Sequence, residues 1–200
     1  MQIVYKVSPL IEKYDLRSSA VVVRVNKFDE DSTKSFCQQM SSAQSTGQPV
    51  IPVVIDSYGG HVYSLMTMID VIKASRVPVA TIVEGKAMSC GAVLLSFGAD
   101  GMRFAGPNST IMIHEVTGGS FGKAEDIKVD AKQIEKLNDK ILSMISTNIG
   151  KSSGYVKDQI HEKNHADWFL DPEEAKSLNL INHVRLPELS LTVDVKYKFE

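Results

Sequence analysis

Four stretches of the chain carry residue types that could do chemistry together. Gly85-Lys86-Ala87-Met88-Ser89-Cys90-Gly91-Ala92 sets a serine among small residues. Ile111-Met112-Ile113-His114 ends an apolar run on a histidine, and Ala166-Asp167-Trp168-Phe169-Leu170 supplies a later acid. Asp56-Ser57-Tyr58-Gly59-Gly60 offers backbone N–H groups at a glycine pair. Acyl transfer to serine needs a nucleophile, a base to take its proton and a carboxylate to orient the base. It also needs N–H donors for the oxyanion. Ser89, His114 and Asp167 suit the first three roles, and the N–H groups at the Gly59-Gly60 pair suit the last.

Each residue also has a plainer reading. Ser89 alone reads as a helix N-cap, His114 as a core histidine, and the glycines as a tight turn. Asp171 lies close to Asp167 but is better explained as an N-cap, because Pro172 and Glu174 follow it at the first and third helical positions. Cys90 reads as a small packing residue, with a thiol nucleophile as a remote alternative. Gly59, Met88 and Tyr58 flank the serine and the glycine turn and are the candidate substrate contacts. The signal lies in the four stretches taken together.

These residues need elements to position them. Ala20–Val25 is rich in β-branched residues and predicts a strand. Asp29 to Ser32 predicts a helix start, with Phe36, Met40 and Ala43 on one face. Residues 50–55 form a continuous apolar strand, as expected when both faces of a sheet are covered. Val62, Leu65, Met66, Ile69 and Ile72 mark a helix, and residues 79–83 the next strand. A short helix over 89–98 and short strands over 102–105 and 110–113 follow. Strand, turn and helix repeat, which predicts an α/β fold. The longest helix should run from Lys123 to Asn148, with Ile127, Ala131, Ile134, Asn138, Ile141 and Ile145 on one stripe. Such a helix either buries the stripe internally or projects it into a partner subunit. Residues 189–199 alternate apolar and polar and predict an extra C-terminal strand, either an edge strand or a docking edge.

Composition narrows the function classes. Two hundred residues fit a single domain, 1–200. A net charge of −2 gives no sign of a nucleic-acid or anionic-membrane partner. Two cysteines, Cys37 and Cys90, suit a reducing compartment, so the expected location is cytoplasmic. The five histidines and two cysteines are not read as a metal site, so no metal and no cofactor are expected. His61, His161 and His165 read as surface residues without partners.

The chain resembles the proteolytic subunit of the Clp protease, the caseinolytic serine peptidase family, from about Val21 to Val184. The resemblance rests on the glycine pair, the Ala87-Met88-Ser89-Cys90-Gly91-Ala92 turn and Arg103-Phe104-Ala105-Gly106-Pro107-Asn108-Ser109 leading to His114. Phe169-Leu170, followed by Glu174-Ala175 and Leu178, completes it. It implies a crotonase-like fold of repeated β-β-α units with a protruding handle helix. It assigns Ser89 as nucleophile, His114 as base, Asp167 as orienting acid, and Gly60 and Cys90 as oxyanion hole. It implies unfolded polypeptide or peptide substrates, an AAA+ unfoldase that hydrolyses the ATP, and two stacked heptameric rings. Mixed rings with another subunit type, in which this chain is weakly active or noncatalytic, are an alternative. A crotonase-type acyl-CoA enzyme is a more distant one.

Three positions depart from the family pattern. Tyr58 stands where proline usually precedes the glycine pair. Glu115-Val116 replaces Gln-Pro after the histidine, and Glu115 is expected to raise the His114 pKa if its carboxylate approaches the ring. His165-Ala166 replaces an acid and an arginine, which implies altered ring–ring contacts.

Overall fold

A computed structural model describes residues 20–188, together with 5–6 and 196–197. The strands are β1 (Tyr5–Lys6), β2 (Val23–Val25), β3 (Ile51–Ser57), β4 (Val79–Met88), β5 (Arg103–Ala105), β6 (Thr110–Ile113), β7 (Trp168–Leu170), β8 (His183–Val184) and β9 (Lys196–Tyr197). The helices are α1 (Glu30–Ser45), α2 (Val62–Lys73), α3 (Cys90–Leu95), α4 (Ala124–Asn148), α5 (Tyr155–Glu162) and α6 (Pro172–Ser177). The fold is mixed α/β around a mostly parallel sheet, as the strand–helix alternation predicts.

Strands β2, β3, β4, β5 and β8 lie side by side, all parallel. β4 is the hub. Its first half pairs with β5 through Thr81–Val83, and its second half pairs with β6 through Lys86–Met88. Gly85, at φ +84, stands at the handover. β7 then pairs antiparallel with β6. β3 runs Ile-Pro-Val-Val-Ile with every residue buried, because both faces of the sheet are covered. On one face the helices enclose the main core, including Phe36, Met40, Leu65, Met68, Leu94 and Leu142. On the other, Val54, Ala80, Ile82 and Phe104 form a smaller cluster along a groove of about 340 Å³.

Local signals set the helix starts. Asp29 caps α1 by accepting the Ser32 N–H, while the Ser32 hydroxyl accepts the Asp29 N–H. Asp171 and Glu174 form the same reciprocal pair at α6, with Pro172 at its first position. Residues 189–195 and 198–199 of the expected C-terminal strand lie outside the described residues. Lys196 and Tyr197 pair antiparallel with Lys6 and Tyr5. Cys37, assigned to the core from sequence, is only partly buried.

α4 divides into two halves. Asn138, Ile141, Leu142, Ile145 and Ser146 are buried, whereas Ala124 to Gln133 are all exposed. Leu142→Ala is therefore expected to cost about 2–5 kcal/mol of stability, the range for a truncated core leucine. Val129→Ala, at a position 65% exposed, should change stability by about 0.5 kcal/mol or less. Urea unfolding curves check both, and equal losses would mean that the exposed half of α4 is packed in solution.

Candidate active site

The sheet brings the candidate residues to one end. β3, β4 and β6 run parallel, so Gly59–Gly60, Ser89 and His114 all follow the C-terminal ends of their strands. Ligands of open α/β sheets bind at that end. β7 runs the other way, so its N-terminal end lies beside the C-terminal end of β6. Ile113 pairs with Trp168 as the last pair of that register, and His114 and Asp167 are the next residue on each side of it.

Ser89 sits on a sharp turn between β4 and α3, at φ 54 and ψ −120. A non-glycine residue there is uncommon and costs roughly 1–3 kcal/mol, so the surrounding structure must hold it. The Ser89 N–H donates to Met112 O at 2.9 Å, while Ser89 O accepts from Ala92 and Val93 in the first turn of α3. These bonds tie the serine to β6 on one side and to the helix on the other. The result is a strained strand-to-helix elbow, the kind of turn on which a nucleophile can be presented. It also moves the helix start from the predicted Ser89 to Cys90.

The glycine pair packs directly against this elbow. A Cβ on Gly59 would stand 2.6 Å from Ser89 Cβ and 3.1 Å from Ser89 Oγ. A Cβ on Gly60 would stand 2.5 Å from Phe28 O. Both glycines have positive φ, +108 and +149. The Gly60 carbonyl accepts the Cys90 S–H at 3.2 Å, and His61 N–H donates to Phe28 O at 2.7 Å. These contacts fix the turn while no hydrogen bond among the described residues uses the Gly60 N–H. The Cys90 N–H lies in the first turn of α3, where N–H groups have no intrahelical acceptor.

Ser89, His114, Gly60 and Cys90 line one small pocket of about 50 Å³, closed by Ile141 and Ile145 from the buried half of α4. Asp167, Gly59, Met88 and Tyr58 do not line it. Asp167 is exposed. The described hydrogen bonds of this region join Cys90 to Gly60, Asn138 to Val116 and Glu115, and Glu115 to His165; none joins Ser89, His114 and Asp167 to one another. Catalytic hydrogen bonds are often long before substrate binds. Met88 is partly buried and pairs with Met112. Tyr58 is 74% exposed, with its ring 4.3 Å from Lys86 Nζ, which is itself bonded to Asp56 at 2.7 Å.

Two sequence expectations change. Glu115 does not turn to the His114 ring; its carboxylate takes His165 Nδ1 at 2.8 Å and Asn138 Nδ2 at 3.4 Å, with His161 Nε2 at 3.6 Å. The His165 bond holds the Glu115 carboxyl below its ordinary range. His161 and His165, read from sequence as partnerless, therefore share one carboxylate. The available signal was the His-Glu-x-x-His run His161-Glu162-Lys163-Asn164-His165 at a helix end. Burial pushes the Cys90 thiol up. A buried thiol bonded to Gly60 O packs as a small core group, which argues against a cysteine nucleophile.

The family model for Clp protease matches residues 11–187. The chain belongs to the Clp protease family. Membership supports a peptidase in protein degradation rather than an acyl-CoA enzyme, and it implies a polypeptide substrate. No helix among the described residues of this Clp family chain is long and apolar enough to cross a membrane.

Proposed function

We propose that the chain is a serine endopeptidase with Ser89 as nucleophile, His114 as general base and Asp167 as orienting acid. The observation that carries this reading is the Ser89 elbow, with its left-handed backbone held against Gly59 at the C-terminal edge of the sheet. Ser89 Oγ loses its proton to His114 as it attacks the peptide carbonyl, and His114 returns a proton to the leaving amine. Asp167 fixes the imidazole tautomer and stabilises the imidazolium. The Gly60 and Cys90 N–H groups hold the oxyanion, and losing one such donor costs about 3–4 kcal/mol in a hydrolase. Water then hydrolyses the acyl-enzyme by the same steps in reverse. Gly59, Met88 and Tyr58 border the path of the substrate chain.

The same reading has the projecting half of α4 as a handle between two stacked heptameric rings, which enclose the site and are fed by an AAA+ unfoldase that hydrolyses ATP. It places the work in the cytoplasm. A second reading has this chain needing a different subunit type to align its triad. The missing Ser89–His114–Asp167 hydrogen bonds and the His165-Ala166 departure favour it.

Intact mass after fluorophosphonate treatment, on protein sized by light scattering, separates the two. One adduct per chain, mapped to Ser89 on a ring-sized homo-oligomer, is expected. A ring of this chain that takes no adduct until a second subunit type is added would move the conclusion to mixed rings.

A further inference from the structure

Glu115, His161 and His165 bring one carboxylate and two imidazoles to a single point beside the Ser89 pocket. We propose that these three side chains bind one divalent ion of the zinc class. Their ligand atoms all lie within 4.8 Å of one another. His165 Nδ1 is 2.8 Å from one Glu115 oxygen, and His161 Nε2 is 3.6 Å from the other. In a tetrahedral zinc site each ligand lies about 2.0–2.1 Å from the ion, which sets the ligands roughly 3.3 Å apart. The observed spacings straddle that value, so small side-chain rotations make the place. Two imidazoles and a carboxylate are also the donor set that zinc takes when it keeps a position for water.

The backbone builds the cluster. His161 lies in the last turn of α5. Asn164 and His165 then adopt left-handed φ of 56 and 60, and the His165 N–H donates back to Ile160 O at 3.0 Å. This turn folds His165 over His161, with ring centroids 4.4 Å apart. Glu115 arrives from the segment after β6. Asn138 of α4 fixes it, donating Nδ2 to the carboxylate while its Oδ1 accepts the Val116 N–H at 2.9 Å. Outer partners of this kind orient metal ligands and sharpen affinity. His161 and His165 are half exposed, which leaves the ion a path from solvent.

Glu115 follows His114 directly, and His165 precedes Asp167 by two residues. A bound ion ties together the segments that carry the base and the orienting acid. That consequence rests on the peptidase reading above; the binding does not.

Cobalt titration of the metal-free full chain, followed by visible absorption, tests the site without any turnover. One Co²⁺ per chain with the bands of a four-coordinate complex is expected, displaced by Zn²⁺. His161→Ala and His165→Asn should each weaken binding by about 100-fold or more, since even outer partners are worth about 10–100-fold. Asparagine tolerates the left-handed backbone at 165, and circular dichroism of the metal-free variants checks that both fold. His183→Ala and His114→Ala should keep the complex. Absence of cobalt bands, bands that survive both substitutions, or bands lost in His114→Ala would overturn the proposal. Failure of Ser89 labelling would leave the cobalt result untouched.

Discussion

Ser89→Ala and His114→Ala, assayed separately on a fluorogenic peptide, are each expected to lower kcat by about 10⁵–10⁶-fold, and the double variant by no more. The reason is that the two side chains perform one proton transfer. Without the base, the hydroxyl is a weak nucleophile; without the hydroxyl, the base has nothing to activate. What remains is the oxyanion hole and substrate binding, worth roughly 10³–10⁴ over water. The shared pocket of Ser89, His114, Gly60 and Cys90 makes this coupling physically reasonable, and the register puts His114 one step beyond the Ile113–Trp168 pair. Light scattering must show the same assembly in all variants, so that a lost ring is not taken for lost chemistry. Independent losses that multiply in the double variant, or a Ser89→Ala protein with normal turnover, would remove the nucleophile assignment.

The helix starts could be read from sequence because each rests on local signals. Asp29 with Ser32, and Asp171 with Glu174, satisfy helix-start N–H groups within four residues of chain, so α1 and α6 begin where the capping pattern puts them. The unbroken apolar run of β3 reports a sheet covered on both faces before any partner strand is known. The misses have a different origin. β4 continues past Val83 to Met88 because β6, more than twenty residues later, pairs with Lys86, Ala87 and Met88. Pairing across that distance leaves no periodicity in the strand itself. Ser89 stands outside the predicted helix, its N–H bonded to Met112 O more than twenty residues later. In the Glu115–His161–His165 cluster the two imidazoles were legible as a His-Glu-x-x-His run, and the Glu115 carboxylate was hidden for the same reason. Its carboxylate and its imidazoles come from separate segments, and only the turn at Asn164–His165 brings them to one place.

Packing at Gly59 leads to the second large effect. Gly59→Ala is expected to abolish fluorophosphonate labelling of Ser89 on the experimental timescale, a loss of about 100-fold or more. Two causes add. At φ +108 any L side chain is strained, at a cost of roughly 1–3 kcal/mol. The new methyl would also stand 2.6 Å from Ser89 Cβ and 3.1 Å from Met88 O, so one of the two backbones must move. β4 is anchored on both sides by β3 and β6, which leaves the elbow and the glycine turn to shift. A displacement near 1 Å at a reacting group can cost about 10²-fold. Gly101→Ala supplies the control. It shares a positive φ of +73, but a Cβ there meets nothing within 4 Å, so it carries the strain without the collision. Its labelling rate should match the unsubstituted protein even if its melting temperature falls. Equal labelling of the Gly59→Ala protein would mean that the elbow has room to absorb a methyl group, and that Gly59 shapes the turn without positioning the serine.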